Sequence, residues 1–411
     1  MSRIVFHLLR WVIVAGILAS PAALTGCAGQ KGPRAPQAGA PTAPVAPQPP
    51  PPPIAEKVPL NIPLMDSGGR EPVRVGLLLP LTGPQAALGR AMLDSAELAI
   101  FESGRKDLLL MPADTQGSAA AAVDAANKLI GQGAEILLGP LLSDEVSAVT
   151  PIAIANHVPV VGFSSNVQVA AAGVYLLSFP PALEVDRVVS YAVANGRTRI
   201  AAMIPENNYG ALIENALRDA VAAHNATLGP VEHYPTQIGQ MQTPVGALAK
   251  ADGFDAVLLP EGGTNLRALG PLLPYAGIDL TKVKVLGTGL WDDPTIGREP
   301  TLQGGWFAGP PPEARLSFAQ RYRTAYGSAA PRIASLSYDG VALVAALADA
   351  PAGARFTPDR LASPNGFVGV DGVFRFDATG HIARGLAVNE VTPVGVNVVS
   401  PAPKTFEPGV N

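Results

Sequence analysis

Small hydroxyl residues and glycines recur in this chain just past short apolar runs. Hydroxyls together with free backbone N–H groups at helix N-termini suit a carboxylate or similar anion. Thr82-Gly83 follows Val73 to Leu79, Gly139-Pro-Leu141-Leu-Ser143 follows Glu135 to Leu138, and Ser164-Ser165 follows Val158 to Phe163. Asn207-Asn-Tyr209-Gly210, Glu261-Gly-Gly-Thr-Asn265 and Trp291-Asp292 stand in the same relation to later apolar runs. Two readings of the hydroxyls are open: Ser143 and Ser165 cap the helices that follow, or the group binds a ligand. Capping explains Ser143 as well as binding does, whereas the Ser164-Ser165 pair favours binding.

Other chemistries lack the residues they need. There is no G-x-x-x-x-G-K-[ST], and Gly287-Thr-Gly-Leu-Trp-Asp292 has Asp where a dinucleotide fingerprint has its third glycine. Gly162-Phe-Ser-Ser-Asn166 lacks the second glycine of a nucleophile elbow, and no H-E-x-x-H occurs. A single cysteine forms no internal disulfide, and five scattered histidines do not supply a zinc ligand set. His157 lies beside a buried strand and reads as structural. Asp377-Ala-Thr-Gly380, with His381 after it, reads as a hairpin turn rather than a calcium loop. No catalytic residue, metal or cofactor is expected, and the chain is not read as an enzyme. A net charge of -4 with 15% charged residues offers no basic face for nucleic acid.

The N-terminus has a different logic. Arg3 and Arg10 precede or adjoin the apolar run Trp11 to Ala19, which has the length of an export signal and is too short to span a membrane. Leu24-Thr-Gly-Cys27 resembles the bacterial lipobox, which implies removal of residues 1–26 and lipidation of Cys27. Residues 27–70 are dominated by proline, including the run Pro49 to Pro53, and cannot bury enough surface to fold. As extended polyproline, at about 3.1 Å per residue, such a tether holds a domain on the order of 100 Å from the lipid.

The hydroxyl clusters need elements to position them. At 411 residues the chain exceeds the size of a single core, so two lobes are expected. Val73 to Leu79 reads as a strand buried on both faces, and Leu88, Met92, Ala96 and Ala99 mark one face of the helix after it. Strands at 108–112, 135–138 and 158–163 alternate with helices at 118–130 and 143–155, the pattern of an open, doubly wound parallel sheet. A second series has strands at 199–204, 231–234, 256–259 and 283–286, with helices at 183–194, 209–223, 244–250 and 265–273. Helices at 314–326 and 338–348, a hairpin over 373–382 and strands near Val388 and Val398 close the chain. The polar ends of the strands would then face one another across a cleft.

The segments VRVGLLLPLTGPQAALG, LLGPLLSDEVSAVTPIAIANHVPVVGFSS, NNYG, SYDG and FRFDATGHI resemble the leucine/isoleucine/valine-binding proteins, which have the type I periplasmic-binding fold. The resemblance implies an α/β domain over 71–400, with two doubly wound parallel-sheet lobes joined by three crossovers around a ligand cleft. Lobe 1 would comprise about 72–179 and 309–345, lobe 2 about 180–306 and 346–400, and 401–411 a tail. The crossovers fall near Phe179, near Trp306 and toward the C-terminal hairpin. It implies further that Leu141, Ser143, Ser164 and Ser165 hold a ligand carboxylate and that Tyr209 covers the ligand. An acidic residue after a second-lobe strand would hold an ammonium. Glu261 lies in that loop, although Gly263 or Thr264 aligns nearer the acidic position. Thr82 and Trp291 complete the candidate set.

The segments GTGLWDDP, GGWFAGP and RYRTAYGSAAPRIASLSYDGVAL resemble exported lipoproteins that act as penicillin-binding protein activators. That branch implies a non-catalytic role stimulating a peptidoglycan synthase, with a penicillin-binding protein as partner. Ala28, following the lipidated cysteine, is consistent with sorting to the outer membrane and a folded domain in the periplasm. The additional helical N-terminal domain of the best-known activator is replaced here by the tether. The alternative is a substrate-binding protein that delivers a branched-chain amino acid or related small molecule to an ABC permease; an unrelated sensing role is a third.

Overall fold

The burial expected of the first apolar run is what its sequence requires: Val73–Leu79 forms β1, with every residue but Arg74 buried. This computed structural model describes residues 70–251 and 253–406. The export signal and Cys27 lie outside the described residues, as does the tether up to residue 69. Strands β2 (Leu108–Asp114), β3 (Ile136–Leu138), β4 (Val160–Gly162) and β5 (Val174–Leu176) join β1 in the all-parallel order β2-β1-β3-β4-β5. The intervening helices are α1 (Ala86–Ser103), α2 (Ala119–Gly131) and α3 (Ser143–Ala155). Met92, Ala96 and Ala99 of α1 enter the core, with Leu88 packed against it, as the spacing predicts. Gly139, after β3, has φ +85°, and a Cβ there would stand 2.2 Å from the Leu78 carbonyl oxygen. Only glycine fits that approach, which turns Leu141–Ser143 toward the sheet's C-terminal edge.

The second lobe begins with α4 (Pro181–Ala194), followed by β6 (Arg199–Pro205), α5 (Asn208–Ala223), β7 (Thr227–Tyr234), α6 (Gln242–Lys250) and β8 (Ala256–Leu258). Next come α7 (Gly263–Leu269), α8 (Leu272–Tyr275), β9 (Lys284–Gly287) and β10 (Trp306–Gly309). The single helix expected over 265–273 is broken at Gly270-Pro271, since proline brings no N–H to the ladder and its ring clashes with the preceding turn. The chain returns to the first lobe after Gly309, slightly beyond Trp306. There α9 (Pro312–Tyr326) and α10 (Ser335–Leu347) pack beside α1 and supply Phe318, Tyr322 and Val344 to the first core.

The lobe boundary after residue 345 differs from expectation. Short α11 (Pro358–Leu361) and the antiparallel sheet β11 (Phe367–Gly369), β12 (Gly372–Phe376) and β13 (Ile382–Arg384) follow. Phe356, Leu361, Phe374, Phe376 and Ile382 share the core of Val75, Tyr175 and Leu177, so residues 346–386 belong with the first lobe rather than the second. The apolar face made by alternate hairpin residues docks on β5: Tyr175 and Phe376 lie ring to ring at 5.4 Å, and the Gly380 carbonyl accepts the Leu176 amide at 2.9 Å. The Asp377 carboxylate accepts the amides of Thr379 and His381, closing the expected hairpin turn. Only β14 (Ala387–Thr392) and β15 (Gly395–Ser400) cross to complete the second sheet, ordered β15-β14-β10-β9-β8-β6-β7. β14 runs antiparallel to β10, and β15 antiparallel to β14.

Candidate functional site at the lobe junction

A cavity of about 420 Å³ opens at the C-terminal ends of β3, β4 and β5. It is lined by Leu141, Ser143, Ser164 and Ser165 from the strand-end loops, by Ser178 and Phe179 where the chain first leaves the lobe, and by Arg332. Four predicted residues therefore meet at one site. Ser143 is the first residue of α3, but Leu142 occupies the N-cap, and the Leu142 amide donates to the Glu145 carboxylate at 3.1 Å. The Ser143 hydroxyl caps nothing; it lies 3.5 Å from Asp144 Oδ1. Nor does Ser165 cap a helix, because the turn at Val167–Val169 is capped by Asn166, whose Oδ1 accepts the Gln168 amide at 3.1 Å. Ser165 is exposed at the cavity, whereas Ser164 is buried and accepts the Asn166 amide at 3.2 Å.

The other candidates are placed elsewhere. Thr82 is tied into its own loop, donating to Asp114 Oδ2 at 2.6 Å. Burial would raise the Asp114 pKa, but Thr82 and the amides of Leu81, Thr82 and Gln116 hold it below the usual carboxylate range on balance. Glu261 accepts the Tyr234 hydroxyl at 2.9 Å and its neighbour Gly262's amide at 3.2 Å. Trp291 does not reach the cavity. It is fully buried in the second core, its Nε1 donating to the Leu259 carbonyl at 3.1 Å and its ring 6.2 Å from Phe307. Position after a strand suggested a ligand contact, but the 3₁₀ turn Gly289–Trp291 swings the indole back onto its own sheet. Tyr209, near the start of α5, faces the junction and shares a hydrogen bond with the Thr288 hydroxyl at 3.0 Å. Burial, and next the Glu184 carboxylate, push its phenol upward.

The junction is built on charges that strand-end reasoning passed over. Glu184, in the first turn of α4, sends Oε1 to Arg332 Nη2 at 3.2 Å and Oε2 to the Gly289 amide at 2.9 Å. Arg332 stands on the first-lobe turn Arg332–Ala334, where the Ser335 hydroxyl holds its carbonyl at 2.9 Å and Pro331 sets the entry. Its guanidinium lies 4.1 Å from the Phe179 ring centroid, and that of Arg384 lies 4.4 Å from the same ring. A second cross-lobe pair joins Arg315 of α9 to Asp292 of the second lobe. Burial raises both acids' pKa values; Arg332 and the Gly289 amide oppose it at Glu184, and Arg315 and Arg332 oppose it at Asp292. The sequence did carry one signal for Glu184. It lies four residues before Val188, on the helix face that Val185, Val188 and Val189 bury, where an unpaired acid is not tolerated.

Two α/β lobes with a cavity at the C-terminal ends of parallel strands, lined by hydroxyls and one guanidinium, place that cavity where open α/β sheets hold small ligands. The chain belongs to the periplasmic binding protein family, whose model matches residues 72–392. That membership carries the type I periplasmic-binding fold and an exported domain that works in the periplasm. A Leu/Ile/Val-binding protein, BraC3 of Rhizobium johnstonii, is 34% identical over 92 residues, covering 21% of this chain and 25% of that protein. An uncharacterized protein of Rickettsia prowazekii, RP748, is 24% identical over 164 residues, or 39% of this chain and 43% of that protein. The matched stretches thus span less than half of either relative. A branched-chain amino acid ABC transporter structure from Rhodospirillum rubrum superposes with TM-score 0.70 at 20% identity, covering 80% of this chain and all of that one. The LivJ substrate-binding protein of Streptococcus pneumoniae, solved with isoleucine, gives 0.58 at 19% identity over 80% of this chain and 100% of its own. At these identities the likeness is one of fold.

Proposed function

We propose that this chain is an exported lipoprotein, anchored through Cys27, whose binding-protein domain acts without catalysis as an activator of a peptidoglycan synthase. The observation that carries this reading is the state of the junction acids. Glu184 and Asp292 are each committed to an arginine of the first lobe, and Glu261 is engaged by Tyr234. An amino-acid ammonium entering a closed cleft needs a carboxylate partner, and each of these three is already engaged. Such a domain is held together by its own ion pairs and is suited to presenting a fixed surface at the end of a long tether. Anchorage in the outer membrane is supported by the lipobox-like Leu24–Cys27 with Ala28 and the proline-rich tether, and a penicillin-binding protein as partner by the likeness of GTGLWDDP, GGWFAGP and RYRTAYGSAAPRIASLSYDGVAL to activator lipoproteins. Crosslinking in cells followed by purification of the chain should enrich a penicillin-binding protein over a control consisting of the lipidated tether alone. Equal recovery from both would remove the proposal.

A second reading, delivery of a small molecule to an ABC permease, is favoured by the cavity itself, which remains about 420 Å³ and hydroxyl-lined, and by the stretch shared with a Leu/Ile/Val-binding protein. A cognate ligand at about 100 times its dissociation constant would add about 2.7 kcal/mol to folded-state stability. A panel of amino acids without any thermal shift would count against it.

A further inference from the structure

Two groups at the cavity hold hydrogen-bonding capacity that the protein leaves unspent. Ser178 is 1% exposed, and its hydroxyl has no partner. Arg332 directs Nη2 to Glu184, yet its Nε is buried without an acceptor. Buried donors are ordinarily satisfied, and an orphan that lines a cavity marks a place for an acceptor. Ser143 and Ser164 add hydroxyls on the same wall, while Phe163 and Phe179 supply apolar surface. No described residue lining the cavity is acidic.

We propose that this cavity binds a monocarboxylate with an apolar body and no ammonium group, and that Arg332 is the residue that determines this specificity. The guanidinium and the Ser178 hydroxyl receive the carboxylate oxygens. An ammonium finds no acceptor there, because no described lining residue is acidic and the Glu184 carboxylate is taken up by Arg332 and the Gly289 amide. A guanidinium stacked on Phe179 is held in plane and needs no reordering to accept the ligand. The inference concerns the cavity alone and stands whether or not the domain activates a synthase.

The test compares three probes of matched shape by equilibrium dialysis against the lipid-free mature chain: 4-methyl-2-oxopentanoate, 4-methylpentanoate and leucine. Both acids without an ammonium should bind at least about tenfold tighter than leucine. Ser178→Ala should weaken them by roughly threefold to tenfold with the melting temperature unchanged. Arg332→Gln alone strands Glu184 and is liable to unfold the junction, so the paired variant Arg332→Gln with Glu184→Gln is used, and it should lose the preference over leucine. Leucine binding as tightly as the two acids overturns the proposal. So does a preference that survives the paired variant, or no binding of either acid at about 10 mM.

Discussion

Arg332 Nη2 and Glu184 Oε1 stand 3.2 Å apart across the boundary between the lobes, with the Gly289 amide completing the carboxylate's shell at 2.9 Å. The arginine side chain is 20% exposed and the glutamate 6%, so water screens this pair weakly. Removing one member leaves a charge without its partner. Arg332→Ala or Glu184→Ala should cost on the order of 3 kcal/mol in denaturant unfolding. Replacing both with methionine should cost much less than the two single changes together, giving a large coupling energy in a double-mutant cycle.

Gly289 tests the same contact sterically. A Cβ there would fall 2.3 Å from Glu184 Oε1 and 2.5 Å from Arg332 Nη2. Gly289→Ala leaves every charge in place yet pushes the pair apart. Small-angle scattering should report a larger radius of gyration than for the parent chain, together with a lowered melting temperature.

A buried acid cluster sets a pH dependence. Burial, and then the Asp371 carboxylate, raise Asp339 to about 7, against the opposing charge of Arg384; its Oδ1 accepts the Val370 amide at 2.7 Å. A carboxyl whose folded-state pKa lies above its unfolded value contributes its full stability below the unfolded pKa. That contribution is lost as pH rises through the folded pKa. Stability should therefore decline between roughly pH 4 and pH 7. Asp339→Asn keeps an acceptor for Val370 and should flatten that slope, which unfolding midpoints measured across this range will show.

Trp291 separates core from site. With its ring fully buried and its Nε1 bonded to Leu259, Trp291→Ala should cost about 3–5 kcal/mol in unfolding experiments. Trp291→Phe, which loses the hydrogen bond but keeps most of the packing, should cost less and leave dialysis affinities at the first-lobe cavity unchanged.

The strand and helix series was legible because buried parallel strands and amphipathic helices write different periods, as Val73–Leu79 and Met92, Ala96 and Ala99 illustrate. The strand-end hydroxyls were legible for a related reason: the topology brings the C-terminal ends of parallel strands together, and Leu141, Ser143, Ser164 and Ser165 do share a cavity. What sequence did not yield depends on long-range pairing. Arg332 and Glu184 are 148 positions apart, and neither has a local pattern that names its partner. The docking of Phe374 and Phe376 on the first core rather than the second is likewise a choice between two apolar surfaces that chain order does not make. Trp291 failed as a candidate because a single turn reversed its direction.

Lipidation should show itself in fractionation. Cys27→Ala cells should release the chain into the soluble periplasmic fraction, while the parent remains with membranes through its acyl chains. A Cys27→Ala chain that still sediments with membranes would remove the anchor from the account.

The most direct measurement is the rate of glycan-strand polymerisation by the purified peptidoglycan synthase of the same cell, with and without the lipid-free mature chain. The rate should rise saturably with added chain, and no small ligand should be needed for the effect. An unchanged rate at saturating chain would contradict the activator role.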